Sequence, residues 1–147
     1  MNVKPQIGYF IDTNILVYAF DLSAGRKYQI ASQLVRECWE NETGCLSIQV
    51  LQEFYVTVTR KITNPLESVI ARQIISDLAE WRLQTPGASD VLQAIDYQLN
   101  HHLSFWDAMI LQSAVRLGCA QIWTEDMNHG QSFGPVRVVN PFIEAIE

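Results

Sequence analysis

The chain of 147 residues lacks most of what marks a cross-linked or membrane-bound protein. It has three cysteines, Cys38, Cys45 and Cys119, an odd number with no CxxC pair. That excludes a disulfide framework and a cysteine zinc site, and leaves small buried thiols in a reducing compartment. Long apolar runs are also missing. The longest, residues 15–20 (ILVYAF), is far too short to cross a bilayer. Near the N-terminus the apolar stretch 7–11 soon meets Asp12, so no secretory signal reads out and a cytoplasmic location is expected. No repeat, low-complexity tract or linker divides the chain, and its length suits one domain over 1–147. An excess of positive charge is absent as well. Ten Lys+Arg stand against sixteen Asp+Glu, a net charge of −6, which is the wrong sign for a broad basic nucleic-acid surface.

What is present reads as a globule, with 48% hydrophobic and 18% charged residues. Residues 7–11 (IGYFI) suggest a short buried strand that stops at Asp12-Thr13-Asn14, which favour turns and helix caps. A short helix is expected over 15–20. A longer one is expected over 26–41, where Ile30, Leu34 and Cys38 recur at four-residue spacing. A strand follows at 44–48. Leu51, Phe54, Tyr55, Val58 and Ile62 then form a helical stripe running to about Thr63. Asn64-Pro65 breaks it and opens a helix over 66–81. A short strand is expected at 84–85 and helices at 89–100 and 104–117, the last closed by Gly118. A strand at 120–123, a polar loop over 125–134, a strand at 136–139 and a short helix opened by Pro141 complete the chain. Short apolar strands alternating with longer helices spell an α/β domain, a mostly parallel sheet with helices on both faces. Ligands in such folds gather at the carboxyl ends of the strands.

Asp12 and Asp126 both fall at that edge, each just past a strand. Taken singly, either is a turn or cap residue, the commoner role of Asp there. Asp107 shares a helix face with Ile110, Leu111 and Ala114. A buried carboxylate needs a partner, and a metal ion would serve. Ser104 to Asp107 also fits the S-x-x-D capping box, so cap and ligand both stand, and they are compatible. Glu53 lies opposite the apolar stripe of its helix and reads by position as a solvated Glu. His101, His102 and His129 include no i, i+4 pair of the kind that binds zinc on a helix.

Four segments resemble the motifs of one family. Residues 10–19 (FIDTNILVYA) look like the opening motif of PIN (PilT N-terminus) domains. The likeness continues in the family's order through 46–61 (LSIQVLQEFYVTVTRK), 103–114 (LSFWDAMILQSA) and 123–131 (WTEDMNHGQ). It is strongest to the VapC-like group, toxins of toxin–antitoxin pairs. The resemblance implies a PIN-like Rossmannoid three-layer fold and a site of four acids, Asp12, Glu53, Asp107 and Asp126, with Asn14 and Thr124 supporting them. It also implies an endoribonuclease acting on single-stranded RNA, an antitoxin partner and a homodimer. An all-oxygen site of this kind suits Mg²⁺ or Mn²⁺, hard ions that activate water and offset charge on phosphate. Such ions would also relieve the unfavourable charge balance. Arg60-Lys61 and Arg26-Lys27 are candidate phosphate contacts, and Glu125 is a second acid beside Asp126.

Other readings remain. A haloacid-dehalogenase-like phosphatase needs a second Asp two residues after the first, where this chain has Asn14. A catalytically inactive PIN-like RNA-binding or scaffold module would use the same acids only as caps. A histidine acid–base ribonuclease needs two groups on opposite sides of the scissile phosphate, and adjacent His101 and His102 diverge by about 100° on a helix.

Overall fold

A computed structural model of the chain describes residues 7–143. Strand β1 (Tyr9–Ile11) is fully buried at Phe10 and Ile11. It hands over to α1 (Thr13–Tyr18) through Asp12, whose extended backbone and side chain cap the helix; the carboxyl accepts from Thr13 N at 2.7 Å. That cap starts α1 two residues earlier than the apolar run suggests. A single 3₁₀ turn, Leu22–Ala24, leads to α2 (Arg26–Asn41), whose bounds match the expected ones. Strand β2 (Gly44–Ser47) is buried at every residue, the mark of a strand covered on both faces. Ser47 caps α3 (Ile48–Arg60), so this helix starts directly at the strand's end.

Helix α3 stops short of Thr63. After Lys61 the chain folds back, and Leu66 N bonds to Val58 O at 2.8 Å. Leu66 is therefore held outside α4 (Ser68–Leu78), which begins two residues later than Pro65 suggests. It also ends before Trp81, in a turn where Trp81 N bonds to Leu78 O. Strand β3 is Arg82–Gln84, two residues earlier than expected, because it pairs with β2 in the register Cys45↔Arg82 and Ser47↔Gln84.

Helix α5 (Ala88–Asn100) packs on α6 (Phe105–Arg116). Helix α6 is buried without a break from Ala108 to Ala114, and so lies within the core instead of floating one face on it. Its end is a Schellman motif: Gly118 takes φ +70°, Gly118 N bonds to Val115 O and Cys119 N to Ala114 O. Strand β4 (Gln121–Trp123) follows, then β5 (Ser132–Phe133) and β6 (Val136–Val139). The pair β5–β6 is antiparallel and lies partly within the stretch expected to be a polar loop. The helix expected from Pro141 is not seen. Phe142 N and Ile143 N both bond back to Asn140, making a turn; the rest of that expected helix lies outside the described residues.

The sheet order is β3-β2-β1-β4-β6-β5, parallel except at β5. This is the α/β three-layer architecture expected. Phe10, Leu46, Phe54, Leu111 and Ile122 are fully buried at its centre. The three cysteines are buried and free. Among the described residues no helix is long and apolar enough to cross a membrane.

Candidate active site

Strands β1 and β4 are parallel neighbours, so the residues that follow them emerge side by side. Asp12 follows β1 and its N–H bonds to Trp123 O at 3.0 Å. Thr124 follows β4 and is fully buried. Its hydroxyl donates to Asp12 Oδ2 at 2.7 Å and accepts from Asp126 N at 3.1 Å. One side chain thus aligns two of the candidate acids. Asn14, on α1, donates from Nδ2 to Asp126 Oδ2 at 2.8 Å.

Glu53 comes from α3. Thr13 Oγ1 donates to its Oε2 at 2.8 Å and Gln49 Nε2 to its Oε1 at 3.1 Å. Asp107 sits in the first turn of α6, where Ser104 Oγ accepts from its N–H at 3.1 Å, one half of the expected capping box. All four acids line one cleft of about 530 Å³. Asp12 is the buried one, Asp107 is half-buried, and Glu53 and Asp126 are exposed.

The electrostatics reflect this gathering. Burial pushes the Asp12 carboxyl up to about 6; hydrogen bonds from Thr124 and Thr13 N work against that, and the charges of Asp126 and Asp107 add to it. Burial likewise holds Asp107 above the usual carboxylate range, against the Ser104 hydroxyl and with the charges of Asp126 and Glu53. The acids repel one another across shared space, which a cation would relieve. The donor set is all oxygen, and Asn14 Oδ1 is buried with no hydrogen-bond partner, an acceptor left for a cation or its water. In donor chemistry the residues fit a hard divalent ion. Among the described residues, however, no three acids, histidines or cysteines stand close enough to enclose an ion as they are.

Several expected roles divide here. Of the four basic residues offered as phosphate contacts, Lys61 alone lines the cleft. Lys27 pairs with Glu125 at 2.8 Å, and Arg26 Nη1 donates to Phe142 O at 3.2 Å. Glu125 also accepts from Tyr18 Oη at 2.5 Å, so the second acid is engaged in its own network and does not line the cleft. None of the three histidines lines the cleft. His101 packs edge-on against Phe133 at 5.0 Å, and His129 Nδ1 accepts from Asn140 N at 2.9 Å. The cleft also holds residues the sequence reading passed over: Thr13, Asp21, Gln49 and Trp106. Thr13 carried a signal, a hydroxyl directly beside Asp12; the others carried none, because only packing brings them in.

The fold is shared with solved toxin structures. The chain superimposes on the sarcin–ricin loop cleaving toxin VapC20 of Mycobacterium tuberculosis with a TM-score of 0.62 and 19% identity, covering 81% of this chain and 90% of that one. It superimposes on a toxin–antitoxin complex from Klebsiella pneumoniae with a TM-score of 0.66 and 20% identity, covering 92% and 98%. At such identities the likeness establishes fold alone. No curated protein matches the chain at a significant level. The sequence model of the PIN domain matches residues 9–131, a stretch that contains all four motif segments and the four candidate acids Asp12, Glu53, Asp107 and Asp126, and the chain therefore belongs to the PIN domain family.

Proposed function

We propose that the chain is a divalent-metal-dependent endoribonuclease acting on single-stranded RNA, and the toxin of a toxin–antitoxin pair. One observation carries this reading: Asp12, Glu53, Asp107 and Asp126, distant in sequence, line a single cleft at the carboxyl edge of a parallel sheet. In this reading Asp12, Glu53, Asp107 and Asp126 hold Mg²⁺ or Mn²⁺, and Asn14 and Thr124 orient Asp126 and Asp12. When bound, such ions activate a water for attack on phosphorus and offset charge on the phosphate. The chain's own task is to hold the carboxylates in fixed positions. Thr124 and Thr13 N do so for Asp12, the Thr13 hydroxyl and Gln49 for Glu53, and Asn14 for Asp126. The antitoxin partner rests on fold likeness to a toxin–antitoxin complex. A single domain over 1–147, a homodimer and a cytoplasmic location belong to the same proposal.

The second reading, an inactive RNA-binding or scaffold module, has one observation in its favour: among the described residues no three acids converge as they stand. Two measurements separate the readings. EDTA should abolish RNA cleavage and Mn²⁺ should restore it, and calorimetry should detect Mn²⁺ binding that Asp107→Ala loses. Undiminished cleavage in EDTA by protein free of other nucleases overturns the metal requirement. Folded protein that neither binds Mn²⁺ nor cleaves supports the inactive module.

A further inference from the structure

Trp106 is 62% exposed, more than Trp39 at 41%, in a chain that buries Phe10 and Phe54 completely. It occupies the first turn of α6, directly before Asp107, and lines the same cleft as the acids. Phe105 meets its ring edge-on at 5.2 Å and 72°. Tyr18 also lines the cleft, but its hydroxyl is bound to Glu125 and its ring packs edge-on with Phe142. Of the two aromatic side chains lining the cleft among the described residues, Trp106 is the exposed one and leaves the more surface open to a planar ligand.

The charge balance says why one is needed. The chain carries −6, and among the described residues Lys61 is the one basic side chain lining the cleft. Counterion release, which supplies most non-specific affinity for nucleic acid, is therefore weak here. Stacking of a base on an aromatic face is independent of charge and worth about 5- to 100-fold in affinity per base. Single-stranded RNA presents its bases for such contacts, whereas a duplex hides them.

We propose that Trp106 is the base-binding element of the cleft. Its indole stacks on an unpaired base next to the cleaved bond, while Lys61 takes a phosphate oxygen of the same strand. The proposal rests on the nuclease reading and adds the residue that selects unpaired RNA. Because stacking is not ionic, the Trp106 contribution persists at high salt while that of Lys61 fades.

The test uses a single-stranded RNA of mixed sequence with its cleavage site mapped, and a set of copies each carrying one abasic nucleotide. Cleavage with Mn²⁺ is followed for the wild type, Trp106→Ala and Trp106→Phe, with circular dichroism to confirm folding. In the wild type one abasic position beside the cleaved bond should raise KM about 10-fold. Trp106→Ala should raise KM by a similar factor on intact RNA, with little change in kcat, and be indifferent to the abasic nucleotide at that position. Trp106→Phe should recover most of the loss. Effects of Trp106→Ala and the abasic nucleotide that multiply independently overturn the proposal. So does a wild type with no abasic-sensitive position, whether or not the variants fold. A Trp106→Ala variant with unchanged KM and an altered oligomeric state assigns the indole to a protein contact and also overturns it. A wild type that cleaves no RNA with Mn²⁺ fails at the nuclease reading itself, an outcome distinct from cleavage without base dependence.

Discussion

The Thr124 hydroxyl donates to Asp12 Oδ2 at 2.7 Å, joining the end of β4 to the end of β1 across 112 positions of sequence. The same oxygen accepts from Asp126 N, so Thr124 serves two acids at once. Thr124→Val keeps the volume and removes both bonds. It is expected to destabilise the protein by about 1–3 kcal/mol, the cost of leaving buried polar groups unmatched. Cleavage at limiting Mn²⁺ should fall about 10- to 100-fold, the usual penalty for losing a partner of a metal ligand. Thr124→Ser should restore both. Thermal unfolding and Mn²⁺ titrations of the three proteins check this.

Asp12 makes a pH prediction with a definite sign. Its carboxyl lies at about 6 in the folded chain, against an ordinary 3.8. Between those values the folded protein holds a proton that the unfolded chain has released, so stability falls as pH rises through this window. Above it the cost is complete. A shift of that size corresponds to about 3 kcal/mol. Asp12→Asn removes the ionisation but leaves one acceptor oxygen for two donors, so the expected net gain in metal-free protein is about 1–2 kcal/mol near neutral pH. The gain should vanish below about pH 4, where both side chains are neutral. Most cleavage should be lost throughout. Melting curves in EDTA across this range decide it; a large loss of stability at neutral pH would make Asp12 structural.

Adjacent acids Glu125 and Asp126 should behave differently. Glu125 is committed to Tyr18 and Lys27, while Asp126 lines the cleft. Glu125→Gln is expected to cost under about 1 kcal/mol, since Lys27 is well exposed and such pairs are weak. Its cleavage rate should stay within a few-fold of the wild type. Asp126→Asn should lose most activity with little change in melting temperature. Parallel rate measurements on the two variants are sufficient; equal losses would overturn the assignment.

The ends of the cut RNA report the nucleophile. A water attacking in line with the leaving 3′-oxygen leaves a 5′-phosphate and a 3′-hydroxyl. Histidine acid–base chemistry through the 2′-hydroxyl leaves a cyclic phosphate instead. None of the histidines lines the cleft, so His101→Ala/His102→Ala should keep cleavage within a few-fold. An exonuclease specific for 5′-monophosphate RNA should degrade the downstream fragment without prior phosphorylation. A cyclic phosphate on the upstream fragment would overturn the water mechanism.

Local chemistry was legible without any structure. The four-residue spacing of Ile30, Leu34 and Cys38 marks α2, and its bounds match. Gly118 ends α6 as a left-handed residue must. The positions of Asp12 and Asp126 past apolar strands follow from patterns a few residues long, and the four motif segments, read together, pointed to the family. These features depend on backbone preferences and side-chain periodicity that each segment carries by itself.

Tertiary contacts decided the rest. Strand β3 falls at Arg82–Gln84 because β2 offers it a register, and β5 exists because β6 pairs with it; neither segment contains the reason for its own conformation. Whether Glu125 or Asp126 faces the cleft depends on Lys27 and Tyr18, about a hundred residues away. Glu53 reads from its own helix as a solvated side chain, and it joins the other acids because α3 starts directly at the end of β2. Trp106 and Lys61 come to one cleft through the packing of α6 and α3 around the sheet edge. Burial raises the Asp12 carboxyl for the same reason: desolvation and the fields of Asp126 and Asp107 depend on distances through space, which a linear order of residues does not contain.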